Sequence, residues 1–273
     1  MNLNLQNEQV RQYLLDVIGF WIEEFDIDGI RLDCADCLDF GFMEAMRHFT
    51  REKKEDFWLM GEVIHGDYSR YIADHLLHSV TNYELHKGLY SGHNDHNYFE
   101  IAHTIRREFD QNGGIYRGTF LYSFIDNHDV DRIASKLNNR GHIYPVSTLL
   151  FTLPGIPSIY YGSEWGIEGR KEGPNDDFLR PAVDISQIRE GLPDETLMKW
   201  VRTLARIHTS REELVYGVYR ELLLTNRQYA FARILEDRCV LVAVNNDEQD
   251  AVIRVSVPVG AGTCLALVSE DAL

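Results

Sequence analysis

The stretch Gly29-Ile30-Arg31-Leu32-Asp33 decides how this chain of 273 residues is interpreted. It continues from an Asp-Gly turn signal, runs as a short apolar segment typical of a buried strand, and ends on a carboxylate. A helix comes before it, because Asn7 can cap a segment in which apolar side chains recur at helical spacing as far as Phe25. A helix that leads into a short buried strand indicates a parallel β/α fold.

The same pattern recurs further along the chain. Strands are predicted at 57–60, 80–83, 119–125 and 158–161. Helices are predicted at 42–49, 98–109, 144–151 and 195–208. Successive strands are separated by roughly 30 residues, the length of a strand with its crossover helix, so we expect them to lie parallel.

The pattern changes beyond residue 211. Short alternating segments follow at 218–219, 229–234, 239–244 and 251–257, with turn residues between them, which is typical of antiparallel strands. We therefore divide the chain into an α/β domain, residues 1–211, and a small antiparallel β domain, residues 212–273.

Three carboxylates lie just past the ends of three different predicted strands: Asp33, Glu62 and Asp129. A doubly wound sheet and a barrel both fit alternating strands and helices. In a (β/α)₈ barrel, however, the carboxyl ends of the strands converge on one face, where active sites are built. The placement of the acids favours the barrel.

Composition excludes several classes of function. A formal charge of −16 argues against a nucleic-acid partner, and no apolar run is long enough to span a membrane. The first residues lack the pattern of a signal peptide, so a cytoplasmic location is expected. The four cysteines, Cys34, Cys37, Cys239 and Cys264, are too few for a disulfide framework. Cys34-x-x-Cys37 is open to interpretation as a redox pair or half a zinc site, but no second Cys/His pair follows, and ordinary thiols are favoured.

Two carboxyl groups that flank one bond are what glycoside hydrolysis needs. Arg31 and Asp33 point to the same side of a strand, and an Arg beside an Asp stabilises the negative charge of a nucleophile. Glu62 follows an apolar strand and a glycine, surroundings that favour a carboxyl in its protonated form. His128 and Asp129 offer a donor and a charge for sugar hydroxyls. Any one of these acids alone is more often a strand-end residue or a helix cap, whereas three together indicate a site.

At these residues the chain resembles the α-amylase family, glycoside hydrolase family 13. Residues 29–33 resemble the family's nucleophile motif, residues 61–63 its acid/base motif, and residues 124–129 its third-carboxylate motif. The resemblance implies that Asp33 is the nucleophile, Glu62 the general acid/base and Asp129 the stabiliser of the transition state. Arg31 and His128 are then substrate-binding residues at the cleaved sugar's subsite.

The resemblance to cyclomaltodextrinase- and neopullulanase-like members covers nearly the whole chain. It implies that Asp176 and Arg180 contact the next glucose unit, although an exposed ion pair explains the two residues equally well. Tyr161 is a candidate for stacking on a sugar, as are Trp165 and Tyr83, and each is as easily a core residue.

Two departures from the family pattern affect what is expected. Asp36 and Cys37 stand where α-amylases often have Lys-His, so acceptor preference is not carried over. The family's first motif has no equivalent. By resemblance, this chain is the C-terminal portion, about five strands, of a (β/α)₈ TIM barrel that lacks its N-terminal part. An open set of strands is expected to self-associate as a homo-oligomer or to be completed by its missing half, with little activity alone.

The expected activity is retaining hydrolysis or transglycosylation of α-glucosidic bonds in maltooligosaccharides or related α-glucans. Neither a metal nor another cofactor is required, although a full-length parent is expected to have room for a structural calcium. Two alternatives remain. One is a non-catalytic glucan-binding or partner-completed subunit, and the other is a metal-dependent barrel enzyme that uses the same acids as ligands.

Overall fold

The structure is a computed structural model that describes residues 3–173, 175–184 and 195–256. It contains two compact units. The first comprises the residues up to Tyr83 together with Gly118–Tyr122, and the second comprises Glu84–Arg117 and the chain from Ser123 onward. Among the described helices, none combines the length and the apolar character that crossing a membrane demands.

The first unit begins with the helix predicted around the apolar face of residues 10–25. This helix, α1, spans Glu8–Phe25, and the Asn7 side chain accepts hydrogen bonds from the first-turn backbone, as predicted. After β1, Gly29–Leu32, comes α2, Phe40–Lys53, which is capped by Asp39. The other two strands of this unit are β2, Trp58–Gly61, and β3, Ser79–Val80.

These three strands form one sheet in the order β1-β2-β3, and both pairings are parallel. The register pairs Gly29 with Trp58 and Leu32 with Gly61, so β1 and β2 end side by side. Past the end of β3, the Asn82 N–H donates to the carbonyl oxygen of Tyr122 at 2.8 Å. The predicted parallel arrangement is confirmed for these strands.

The second unit contains the remaining described helices and strands, apart from Tyr83 and Tyr122, which begin two of these elements and belong to the first unit. Its helices are α3, Tyr83–Asn94; α4, Tyr98–Phe109; α5, Ile133–Lys136; α6, Ile143–Thr152; α7, Glu195–Ser210; and α8, Glu212–Tyr216. Its strands β4, Tyr122–Phe124, and β5, Ile156–Ser158, pair with each other. Each strand predicted before residue 212 therefore has a counterpart, but β4 is shorter than predicted and β5 ends where its predicted segment begins. The helix α3 follows directly on a segment that was predicted as a strand.

The C-terminal part of the second unit is an antiparallel sheet in the order β6-β7-β8. Its strands are Val218–Leu224, Gln228–Leu235 and Arg238–Asn245. Arg233 of β7 is buried and donates to the carbonyl oxygens of Gly217 and Thr152, which ties the sheet to the end of α6.

The strand predicted at 251–257 is wrong for its described part. Residues 251–256 carry no regular secondary structure, and residue 257 lies outside the described residues. Alternation of apolar and polar residues is a weak signal without a neighbouring strand to receive the backbone hydrogen bonds. The predicted domain boundary at residue 211 stays a prediction.

Candidate active site

The end of β1 and the end of β2 bring Asp33 and Glu62 together in the first unit. The Glu62 N–H donates to the Leu32 carbonyl oxygen at 2.8 Å, and the Ala35 N–H donates to the Glu62 carbonyl oxygen at 2.8 Å. Gly61 makes this close packing possible, because a Cβ there would lie 2.7 Å from the Cβ of Ala35. The two carboxylates therefore follow from the register of two neighbouring strands.

Arg31 lies between the two carboxylates and contacts both. Its Nη1 is 2.5 Å from Asp33 Oδ1, and its Nη2 is 3.0 Å from Glu62 Oε2. One carboxylate oxygen of Asp33 lies within 4.8 Å of one of Glu62. Retaining glycosidases hold their two carboxyl groups about 5–5.5 Å apart, so the arrangement has the dimensions of such a pair.

The environments of the two acids differ. The Asp33 side chain is 73% exposed, whereas that of Glu62 is only 6% exposed. Glu62 accepts hydrogen bonds on both oxygens, from the Tyr83 hydroxyl at 2.9 Å and from the Cys34 N–H at 3.4 Å. Asp33 is therefore accessible to a ligand that arrives from solvent, whereas Glu62 is buried and fixed by hydrogen bonds from the protein.

Tyr83 has a role that sequence reasoning missed. It was a candidate for stacking on a sugar, but its hydroxyl donates to Glu62. The available signal was its position at the carboxyl end of the third predicted strand, the end at which Asp33 and Glu62 follow their own strands.

The loop after β4, in the second unit, carries the third carboxylate. Asp129 is contacted by His128 Nε2 at 3.0 Å and by Arg180 Nη2 at 2.9 Å. The Asn127 side chain accepts from the Asp129 N–H at 2.8 Å and shapes this turn. Sequence reasoning placed these residues near sugar hydroxyls, and here they form one connected group.

Asp176 and Arg180 belong to the same group. Arg180 Nη2 is 3.2 Å from Asp176 Oδ2, and its Nε donates to the His128 carbonyl oxygen at 3.1 Å. Tyr161 is 41% exposed, and its hydroxyl donates to the carbonyl oxygen of Pro181 beside Arg180. The predicted residues after residue 120 therefore gather around one guanidinium.

Asp126, which lies at the start of this loop and is buried, was not singled out by sequence reasoning. It accepts from the Ser163 hydroxyl at 2.6 Å and from the Ile133 N–H at 2.8 Å. Burial is the largest cause of the raised pKa of Asp126, and the nearby Arg132 opposes it. Arg132 also donates to the Tyr161 carbonyl oxygen and lies over the Tyr160 ring at 4.5 Å. These buried groups fix the loop that carries Asp129.

The described residues offer one set of three side-chain ligands close enough to hold a metal ion: Asp33, Cys34 and Glu62. Calcium takes oxygen ligands, usually six to eight of them, so a set that contains a thiol does not fit it. Arg31 already supplies the positive charge between the two carboxylates. The expectation of a structural calcium stays a prediction.

Comparison with known proteins gives consistent results. Residues 1–215 match the family model for the catalytic domain of alpha-amylase. A cyclomaltodextrinase of Thermoanaerobacter pseudethanolicus is 28% identical over 258 residues, which are 92% of this chain and 43% of that enzyme. An intracellular maltogenic amylase of Bacillus subtilis is 26% identical over 249 residues, 89% of this chain and 41% of that enzyme.

The structure is also similar to a solved cyclomaltodextrinase. The TM-score is 0.81 at 24% identity, and the match covers 90% of this chain and 42% of that one. The chain thus spans less than half the length of each of these proteins. The likeness confirms the predicted fold class, β/α units of the (β/α)₈-barrel type followed by a small antiparallel sheet.

Proposed function

Since this chain belongs to the α-amylase family, we propose that it is a retaining glycoside hydrolase or transglycosylase acting on α-glucosidic bonds of maltooligosaccharides or related α-glucans. The observation that carries the proposal is the pair Asp33 and Glu62, held by one guanidinium at the ends of two parallel strands. The names of the matched relatives, a cyclomaltodextrinase and a maltogenic amylase, support the substrate class.

In the first half of the reaction, a carboxylate oxygen of Asp33 forms a bond to the anomeric carbon. The glycosidic bond breaks, and the leaving oxygen takes the proton of Glu62. In the second half, Glu62 takes a proton from water or from a sugar hydroxyl, whose oxygen displaces Asp33 from the anomeric carbon. Two displacements retain the configuration. Asp129 is proposed to stabilise the positive charge that develops on the sugar.

Arg31 suits both halves of this cycle. Asp33 loses its negative charge when it forms the ester, and Glu62 gains one when it gives up its proton. Because Arg31 contacts both carboxylates, its positive charge stays next to whichever of them is ionised. His128 is proposed to bind the cleaved sugar with Arg31. Asp176 and Arg180 are proposed to contact the next glucose unit, and Tyr161 is proposed to stack on a sugar.

The nucleophile is tested by trapping it. A fluorinated α-glucosyl fluoride forms the glycosyl-enzyme faster than water removes it, so the label accumulates even when turnover is slow. We expect one glycosyl group on the tryptic peptide of residues 32–47, located on Asp33 by mass spectrometry. Asp33→Asn should take no label, whereas Asp36→Asn, in the same peptide, should label like the unchanged chain.

The acid is tested separately. Glu62→Gln should lose hydrolysis of maltooligosaccharides but keep the labelling of Asp33, because fluoride leaves without a proton. Labelling of the Asp33→Asn variant would contradict the assignment. Glucan binding without labelling would favour the alternative, a non-catalytic glucan-binding or partner-completed subunit.

A cytoplasmic location is also proposed, supported by the name of the intracellular relative from Bacillus subtilis.

A further inference from the structure

Two cysteines lie within four residues after the proposed nucleophile Asp33. The proposed reaction uses neither thiol. Cys34 and Cys37 are both free and exposed. Cys34 precedes a single 3₁₀ turn, Ala35–Cys37, and Cys37 ends it, with the Cys37 N–H donating to the Cys34 carbonyl oxygen at 2.9 Å. A 3₁₀ turn rises about 2.0 Å per residue, so residues three apart are roughly 6 Å apart. Disulfides join Cα atoms that are about 4.4–6.8 Å apart, and the turn meets this requirement.

Cys34 is also part of the surroundings of both carboxylates. Its N–H donates to Glu62 Oε2 at 3.4 Å, and its Sγ lies within 4.8 Å of a carboxylate oxygen of Asp33 and one of Glu62. Its backbone is left-handed, with φ 45°, a conformation that side-chain-bearing residues rarely adopt. A movement of Cys34 therefore acts on Asp33 through one peptide bond and on Glu62 through a hydrogen bond.

We propose that Cys34 and Cys37 form a reversible disulfide with a low-molecular-weight disulfide as oxidant, and that this bond switches off the carboxylate pair. A bond to Cys37 would constrain the Cys34 sulfur, which in the reduced chain lies beside Asp33 and Glu62. The effect on activity rests on the proposed function, whereas the formation of the disulfide does not.

The exchange is balanced in two steps. The Cys37 thiolate attacks one sulfur of the oxidant and releases one small thiolate, which leaves a mixed disulfide on Cys37. The Cys34 thiolate then attacks the Cys37 sulfur and releases the second small thiolate, and the two protons of the protein thiols end on the released thiolates. The neighbouring Asp33 carboxylate is the largest cause of the raised pKa of the Cys34 thiol, so Cys37 is the thiol that attacks first.

The disulfide is tested by a peptide map of the whole chain after equilibration in mixtures of reduced and oxidised glutathione. Trypsin releases both thiols in one peptide, residues 32–47, which holds no other cysteine. We expect this peptide to lose the mass of two hydrogens as the proportion of oxidised glutathione rises. Cys34→Ser should instead accumulate a glutathione adduct on Cys37, because the second step is lost.

The effect on the site is measured as hydrolysis of maltooligosaccharides before and after oxidation. We expect a loss of roughly tenfold or more, since displacement of a reacting group by about 1 Å can cost a hundredfold. Dithiothreitol should restore the rate. Cys37→Ser should match the unchanged chain when reduced and should form no disulfide within residues 32–47 on oxidation. Cys239→Ser, which removes a thiol on β8, should behave like the unchanged chain in both states.

A peptide that keeps its two hydrogens at every glutathione ratio would overturn the proposal. A disulfide that forms without change in rate would overturn the switch. A reduced chain that takes no glycosyl label on Asp33 would count against the proposed function instead, and the peptide map would still decide whether the disulfide forms.

Discussion

At the scale of single residues, the buried Glu62 depends on the donors around it. Among the described residues, the side chains of Arg31 and Tyr83 contact it, and the Tyr83 hydroxyl donates to Oε1. A carboxyl that gives up a proton and takes one back in each cycle needs a donor that is ready for its ionised form. Tyr83 supplies that donor without adding charge.

Tyr83→Phe is therefore expected to lower kcat about tenfold to a hundredfold, because a hydrogen bond to a charged group contributes roughly 1.5–3 kcal/mol. KM should change little, since the lost hydroxyl donates to Glu62. Steady-state kinetics on maltooligosaccharides measures both constants. Tyr13→Phe, on the exposed side of α1, is the matched control, and an equal loss there would remove the role given to Tyr83.

At the scale of secondary-structure elements, the approach of β1 to β2 places the carboxylates. Gly29 pairs with Trp58, and a Cβ on Gly29 would lie 2.5 Å from the Trp58 carbonyl oxygen. Because that oxygen belongs to the backbone, a side chain on residue 29 cannot be accommodated by a change of rotamer. The glycine of the first quoted motif is thus a packing requirement of the sheet.

Gly29→Ala is expected to destabilise the chain by about 1–3 kcal/mol, the usual cost of forcing extra volume into a packed site. It should also reduce glycosyl labelling of Asp33, because β1 and β2 must separate. Gly113→Ala is the control, since a Cβ there would meet nothing within 4 Å. Urea unfolding measures both variants, and equal midpoints would show that the strands yield without cost.

At the scale of the whole molecule, buried neutral histidines link stability to pH. Burial lowers the pKa of His86 and that of His93 to about 3, and it also lowers the pKa of His142. In the unfolded chain a histidine binds its proton near pH 6.5, whereas these groups stay neutral in the folded chain. Their full contribution to stability is therefore present above about pH 6.5 and is lost as the pH falls from there toward 3.

In the His93→Gln variant, the free energy of unfolding should depend less steeply on pH. Each such group contributes up to about 1.4 kcal/mol per pH unit across that window, so the variant should remove one group's share of the slope. The measurement is the free energy of unfolding in urea between about pH 6.5 and pH 4. His48→Gln, whose parent side chain is 71% exposed, is the control. A slope unchanged by His93→Gln would show that this histidine titrates normally.

Self-association also belongs to this scale. The helix α1 exposes an aromatic face made of Tyr13, Phe20, Trp21 and Phe25, each between 41% and 68% exposed. Contiguous apolar surface of this kind marks a contact surface. We expect a concentration-dependent oligomer in size-exclusion chromatography with light scattering, and Phe20→Glu should weaken it. Tyr216→Glu, at an exposed aromatic residue in the second unit, should have no such effect. A monomer at every concentration would contradict the expectation.

Local sequence patterns determined which segments of this protein become helices and strands. The Asn7 cap, the apolar face up to Phe25 and the short apolar runs before Asp33 and Glu62 are signals carried by neighbouring residues. Periodicity and turn chemistry act within a few residues, so they survive in a sequence read alone. They also placed each acid at a strand end, and therefore predicted which residues to consider as a site.

Tertiary structure decided which side chains meet. No local pattern shows that Arg31 contacts both carboxylates, that Tyr83 donates to Glu62 rather than offering its ring, or that Asp126 is buried beneath the loop of Asp129. Those contacts depend on the register of β1 against β2 and on chain segments far apart in sequence. The segment 251–256 shows the converse, since its alternating apolar and polar residues predict a strand but none of these residues is in one.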